Sequence, residues 1–184
     1  MSFCRFLCLG IFLSSGPGVP AETVTLMPVA DATLIETVPD NNLGGAPFVN
    51  AGTTQNGPRN RGLFRFAIAD AVPRGASIQS ARLILEVTRQ PVDGFAEALF
   101  HLKRVLRPWG EGNKTASDPL HPGLGAPATI DEVTWNHRFA LTTNVWAAPG
   151  GLEGTDFSPI TSSLTFVFGI GDSPYEFGST PEMR

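Results

Sequence analysis

The run "ARLILEVT", Ala81 to Thr88, decides the fold class. Ala81, Leu83, Leu85 and Val87 fall on one side of an extended chain, and Arg82, Ile84, Glu86 and Thr88 on the other. That period of two is the signature of a strand with one buried face. Further along, "SLTFVFGI" (Ser163 to Ile170) alternates in the same way. It sets Leu164, Phe166, Phe168 and Ile170, read as the core-facing set, against Thr165, Val167 and Gly169. "ATLIET", "PFVNAG", "RGLFRFAI" and "EALFHLKRVL" are further strand candidates, each bounded by Gly, Pro, Asn or Asp. No segment carries a long helical period. The 20 Gly and 16 Pro punctuate short β-rich runs, a pattern that predicts two sheets each burying one face on the other. The expected fold is therefore all-β, a jelly-roll-like β-sandwich. At 184 residues the chain has room for one such domain.

The N-terminus reads differently. "MSFCR" is a short basic start, "FLCLGIFLSSG" is an apolar run too short to span a bilayer, and "VPA" ends it with small residues. This order predicts a signal peptide over residues 1–21, cleaved after Ala21, with a single domain over 22–184. The alternative is an ordinary N-terminal strand. Both cysteines, Cys4 and Cys8, lie in the leader, so the exported chain is expected to hold its fold without disulfides. Loss of Arg5 with the leader takes the formal charge one unit below the −4 of the whole chain. An acidic balance argues against a general nucleic-acid binder, and no later segment is long and apolar enough to span a membrane.

From Trp109 to Pro159 the chain is rich in Gly, Pro, Asn, Asp and Thr, which predicts long ordered loops. Trp109, Trp135, Trp146, Phe139 and Phe157 are too many large aromatics for a disordered linker.

The segment "DATLIETVPDNNLGG", then "RGLFRFAIADAVPRGASIQSARLILEV", "WGEG", "VTWNHR" and "WAAPGG", in that order, resembles the DNRLRE-domain family and the related alginate-type carbohydrate-binding modules of secreted bacterial proteins. The resemblance runs from about Val29 to the end. It implies an extracellular jelly-roll sandwich accompanying proteins that work on polysaccharides or cell surfaces. Members of that family usually continue with a segment containing a Trp, an Asn and a "GW" pair, whereas this sequence ends at "GSTPEMR". The resemblance therefore leads to the expectation that the domain is C-terminally incomplete and lacks closing strands; the alternative is a sandwich closed in another way.

Three sets of residues are candidates for a site. In and around "PDNNLGG", Asp31, Asp40 and Asn42 offer hard oxygen ligands to Ca²⁺, although the strict EF-hand pattern is absent. The alternative is a tight connection, which the same composition favours. In "RGLFRF", Arg61 and Arg65 share one strand face while Phe64 and Phe66 take the other. Guanidinium groups grip carboxylates with paired hydrogen bonds, so these arginines are candidates for binding an acidic polysaccharide, with ion pairing to neighbouring acidic residues as the alternative. Trp109 and Trp135 are candidates for stacking on sugar rings, or else they pin the loop to the sandwich.

Enzyme signatures are weak. "GLGAPA" (Gly123 to Ala128) mimics a dinucleotide fingerprint but follows no strand and opens no helix. There is no G-x-S-x-G, P-loop or H-E-x-x-H, and His101, His121 and His137 are widely separated. Glu111, Asp131, Glu132 and Glu153 are loop carboxylates whose separation sequence cannot measure. "NKT" at Asn113 is a glycosylation sequon relevant to a eukaryotic secretory route. The expected function is that of a secreted, non-catalytic module binding an anionic extracellular polysaccharide or cell-surface polymer. A structural or adhesive surface domain is the alternative, and a polysaccharide-degrading enzyme a remote one.

Overall fold

The computed structural model describes residues 2–4, 8–14, 22–54, 56–90, 97–167 and 169–184. Strand makes up 42% of it and helix 6%, with open sheets rather than a closed barrel, so the chain is an all-β sandwich. In chain order the strands are β1 (Ser2–Cys4), β2 (Cys8–Ser14), β3 (Glu22–Leu26), β4 (Ala30–Ile35), β5 (Asn41–Asn42), β6 (Phe48–Asn50) and β7 (Gly52–Thr53). They continue as β8 (Arg59–Arg65), β9 (Ser77–Leu85), β10 (Val87–Arg89), β11 (Ala98–Val105), β12 (Ala126–Pro127), β13 (Phe157–Val167) and β14 (Tyr175–Phe177). No helix among the described residues is long and apolar enough to cross a membrane.

One layer has the order β14-β9-β2-β3, carried on by β10-β1-β6 where Glu86 interrupts the run of β9 into β10. The other contains β4-β8-β7 and the antiparallel pair β11-β13. "ARLILEVT" sends Leu83, Leu85 and Val87 into the core between the layers, where they meet Val49, Val167, Tyr175 and Phe177. Phe64, Phe66, Phe100 and Leu102 pack against that cluster from the second layer. Burying several such side chains, each worth about 1.5 to 3 kcal/mol, is the main force holding the layers together.

The strand expected from "SLTFVFGI" exists, but its faces are the reverse of the expectation. Val167 is the fully buried residue, while Leu164 and Phe166 are 50% and 49% exposed. In the β11–β13 ladder Leu164 and Phe166 stand opposite His101 and Leu99, which are exposed as well, so that side of the ladder is the outer one. Phe168 lies outside the described residues. Leu164, Phe166 and the paired Leu99 thus present apolar side chains on the outer surface.

Part of the predicted leader lies within the sheet. β2 pairs antiparallel with both β9 and β3, and Ile11 is buried against Val24, Leu26 and Ile78. A short apolar run has the composition of a strand as well as of a leader, and in the full chain it is placed as one. The predicted cleavage point after Ala21 lies outside the described residues.

The long connection between β11 and β13 folds onto the β4–β8 sheet. Ala30, Ala32, Leu34 and Leu63 of that sheet form a second apolar cluster with Trp109, Val133, Trp135 and Trp146 of the connection. The sheet is therefore covered on both faces, and every residue of β4 is buried.

Candidate functional site

The alternation in β8 works as the sequence suggests, with Phe64 and Phe66 directed to the core and Arg61 and Arg65 to the opposite face. That opposite face is the one the long connection covers. Arg61 Nη1 donates to the carbonyls of Gly150 at 2.5 Å and Gly151 at 3.3 Å. Its guanidinium lies 5.6 Å from the Trp135 ring centre and 5.1 Å from that of Phe157. Burial, with Arg59 nearby, holds its pKa below the ordinary guanidinium value. Gly150 has φ +80°, and a Cβ there would come within 2.5 Å of the Trp135 ring, so only glycine lets this carbonyl reach Arg61. In this position the half-buried Arg61 uses Nη1 to fasten the "WAAPGG" loop, which engages it within the protein where the sequence suggested a ligand.

Trp109 and Trp135 are likewise corrected. Their rings are only 5% and 3% exposed, inside the second apolar cluster, with Arg65 over Trp109 at 5.2 Å and Arg59 over Trp135 at 5.4 Å. A sugar cannot stack on a face already covered by protein. Arg59 in turn forms a two-pronged ion pair with Glu36, at 3.0 and 2.8 Å, while its backbone N–H donates to the same carboxylate at 2.7 Å. These bonds pull the Glu36 carboxyl down from its ordinary 4.5 to about 2.

Each of the candidate calcium ligands is hydrogen-bonded within the protein. Asn42 is completely buried. Its Nδ2 donates to Glu111 O at 2.7 Å and Val133 O at 2.9 Å, and its Oδ1 accepts from the N–H groups of Gly44 at 3.0 Å and Lys114 at 3.2 Å. With two donors and one accepting oxygen engaged in this way, the amide ties "PDNNLGG" to two points of the long connection. Gly112, at φ +81°, sits directly on this amide, and a Cβ there would fall 2.4 Å from Oδ1. Asp40 is exposed and its Oδ1 accepts from Asn136 Nδ2 at 2.9 Å. Asp31 is buried, and its backbone N–H donates to Glu111 Oε1 at 2.9 Å. Asn41 and Asn42 form a short ladder with Ala126 and Pro127, so the segment is more than a turn.

The loop carboxylates are also placed. Burial pushes the Glu132 carboxyl up, but hydrogen bonds from the Thr129 and Asn113 N–H groups and from Lys114 outweigh it and leave its pKa below the ordinary value. Glu153 pairs with Lys103 across the β11–β13 sheet. His101 contacts Thr161 Oγ1 at 3.1 Å, and His121 contacts Asp118 at 2.7 Å, where it holds the aspartate pKa down. Among the described residues, no group of three or more His, Cys, Asp or Glu is gathered as a metal site would need.

Arg65 has a different position from Arg61. It is exposed at the mouth of a cleft of about 590 Å³ between β8 and the end of β11. The sheet order explains the opening. β8 pairs with β4 along its length but with β7 only at Arg59 and Asn60, and the described partner of β11 is β13. The far edges of both strands therefore border open space. Phe64, Phe66, Leu83 and Leu102 contribute an apolar floor, whereas Arg65, Lys103, Arg104 and Arg107 contribute four cationic lining residues. Lys103 is engaged with Glu153, and Arg65 Nη1 donates to Trp109 O at 3.2 Å. Arg104 and Arg107 are exposed and make no ion pair or side-chain hydrogen bond among the described residues. Charged side chains also guard exposed strand edges against unwanted pairing.

Of the residues singled out in the sequence, the cleft thus retains Arg65 and the buried edge of Trp109. Lys103, Arg104 and Arg107 were overlooked. The signal was present as the basic spacing in "HLKRVLRPW", read above only as a strand with a Trp beyond it. Comparison with protein-family models, curated proteins and solved structures found no match for this chain.

Proposed function

We propose that this protein is a secreted, non-catalytic module that binds an anionic polysaccharide in the cleft between β8 and β11. The observation that carries the reading is the pair of exposed guanidinium groups, Arg104 and Arg107, standing beside Arg65 over an apolar floor. Uronate sugars need both features at once. Their carboxylates match the fork of a guanidinium, and their C–H faces match an apolar floor. The resemblance to the DNRLRE family supports the same reading.

The test compares three proteins on polygalacturonate and alginate by calorimetry at two salt concentrations. Arg104→Ala with Arg107→Ala should weaken binding about tenfold or more and reduce its salt dependence, because screened charge contacts are lost. Arg61→Ala should lower thermal stability and leave affinity per folded molecule close to that of the parent. Equal affinity of the double variant and the parent would remove the cleft from the proposal.

A second reading, a surface-assembly domain, draws on one specific observation, the outward apolar row of Leu99, Phe166 and Leu164. Self-association abolished by polar replacements on that row would favour it.

A further inference from the structure

Arg65 reaches the cleft from a fixed mount. Its guanidinium lies 5.2 Å from the centre of the Trp109 ring, and its Nη1 donates to the Trp109 carbonyl at 3.2 Å. One residue thus holds the group twice, by its ring and by its backbone. Trp109 is itself fixed in the fold, with its ring 5% exposed inside the second apolar cluster. The backbone on either side of it is tied to the long connection. Pro108 O accepts from Arg138 Nη1 at 3.0 Å, Gly110 N–H donates to Arg138 O at 3.1 Å, and Gly110 O accepts from Val133 N–H at 2.8 Å. Gly110 packs so closely there that a Cβ would come within 1.8 Å of Asp131 O.

This mount leaves most of the guanidinium available. The group carries five N–H donors in one plane. Among the described residues Arg65 engages one nitrogen with Trp109 O and makes no ion pair, while its side chain is exposed and lines the cleft. Arg104 and Arg107 line the same cleft and are exposed, but no side-chain hydrogen bond, ion pair or ring contact holds them among the described residues. They must give up rotamer freedom when they grip a ligand, whereas Arg65 has already lost it on folding.

We infer that Arg65, held on Trp109, is the specificity-determining residue of the cleft, a preset fork that receives one carboxylate of the polymer. The inference rests on the polysaccharide reading given above. It divides the roles of the cations: Arg104 and Arg107 supply attraction by charge, and Arg65 supplies the fixed geometry against which one sugar is registered. A planar fork meets both oxygens of a carboxylate with parallel N–H bonds, which an ammonium group cannot do. Lysine at this position would keep the charge and lose the recognition. The buried Trp109 then serves binding without touching the sugar.

Two measurements test it. In the ligand-free parent, nitrogen NMR of the arginine side chains should show the two Nη groups of Arg65 as separate signals, because the contacts with Trp109 slow rotation of the guanidinium, and those of Arg104 and Arg107 as averaged ones. Arg65→Lys, Arg104→Lys and Arg107→Lys assign the signals by their loss. In calorimetry on polygalacturonate, Arg65→Lys should bind about tenfold more weakly per folded molecule, with an unchanged salt dependence because no charge is lost. Arg104→Lys with Arg107→Lys should change affinity by less than about threefold, as expected of groups that act by charge. Averaged Arg65 signals in the parent, or an Arg65→Lys affinity within about twofold of the parent, overturn this inference alone. Failure of the parent to bind either polygalacturonate or alginate overturns the polysaccharide reading itself.

Discussion

Replacing Asn42 with Asp separates two roles that the sequence left open, because the change keeps the shape of the side chain and alters only its chemistry. In the structure Oδ1 already accepts two backbone N–H groups, and Asp preserves that half. The other half reverses, since Nδ2 now donates to the carbonyls of Glu111 and Val133. A carboxylate oxygen in its place would face two carbonyl oxygens in a site with no exposure to solvent. Two lost hydrogen bonds at about 1 kcal/mol each, with buried acceptors and a buried charge left unsatisfied, put the cost at roughly 3 to 5 kcal/mol. That is a large part of the roughly 5 to 15 kcal/mol that holds a domain of this kind together. At a typical urea dependence of about 2 kcal/mol per molar, the unfolding midpoint should fall by about 2 M. The fluorescence of Trp109, Trp135 and Trp146 reports the event directly, because all three lie in the cluster that the tethered connection covers. A calcium ligand would behave in the opposite way, with Asp tolerated and stability restored by the ion. A midpoint shift below about 0.5 M, or recovery of the variant by millimolar Ca²⁺, would refute the tether.

Two further perturbations follow from the same geometry. The Glu36 carboxyl, held near 2 by Arg59 with a smaller contribution from Arg61, has a folded pKa below its ordinary 4.5. Its contribution to stability is therefore complete above about pH 4.5 and is lost as the pH falls toward 2. Melting temperatures of the parent and Glu36→Gln should converge over that window and separate above it; parallel curves would exclude the pair as a source of acid sensitivity. On the outer face of β13, replacing Leu164 and Phe166 by Thr should reduce self-association in sedimentation while moving the melting temperature by only a few degrees, since both are half exposed and Thr suits a strand. A loss of cooperativity would show that this face is buried after all.

The sequence by itself determined that the chain is a β-sandwich with long ordered loops. Period-two alternation is a local property, fixed by the geometry of an extended backbone, and it correctly separates Phe64 and Phe66 from Arg61 and Arg65. The aromatic content of the region after Trp109 likewise marks it as ordered, because large apolar rings require cover. Alternation does not say which of two faces will be buried. "SLTFVFGI" has apolar residues on both, and in the folded chain Val167 is buried while Leu164 and Phe166, opposite His101 and Leu99 of β11, are half exposed. Nor can it say what lies on the far side of a sheet. Arg61 and Arg65 share one face and have the same chemistry, yet one is closed over by the "WAAPGG" loop while the other stands at the mouth of a cleft. The cleft brings β8 together with β11, whose chain positions are some forty residues apart, and with a carboxylate from the last turn. Such contacts are made by residues far apart in the chain, so their geometry is set by how the sheets stack and how the long connection folds back, and only the tertiary structure contains that.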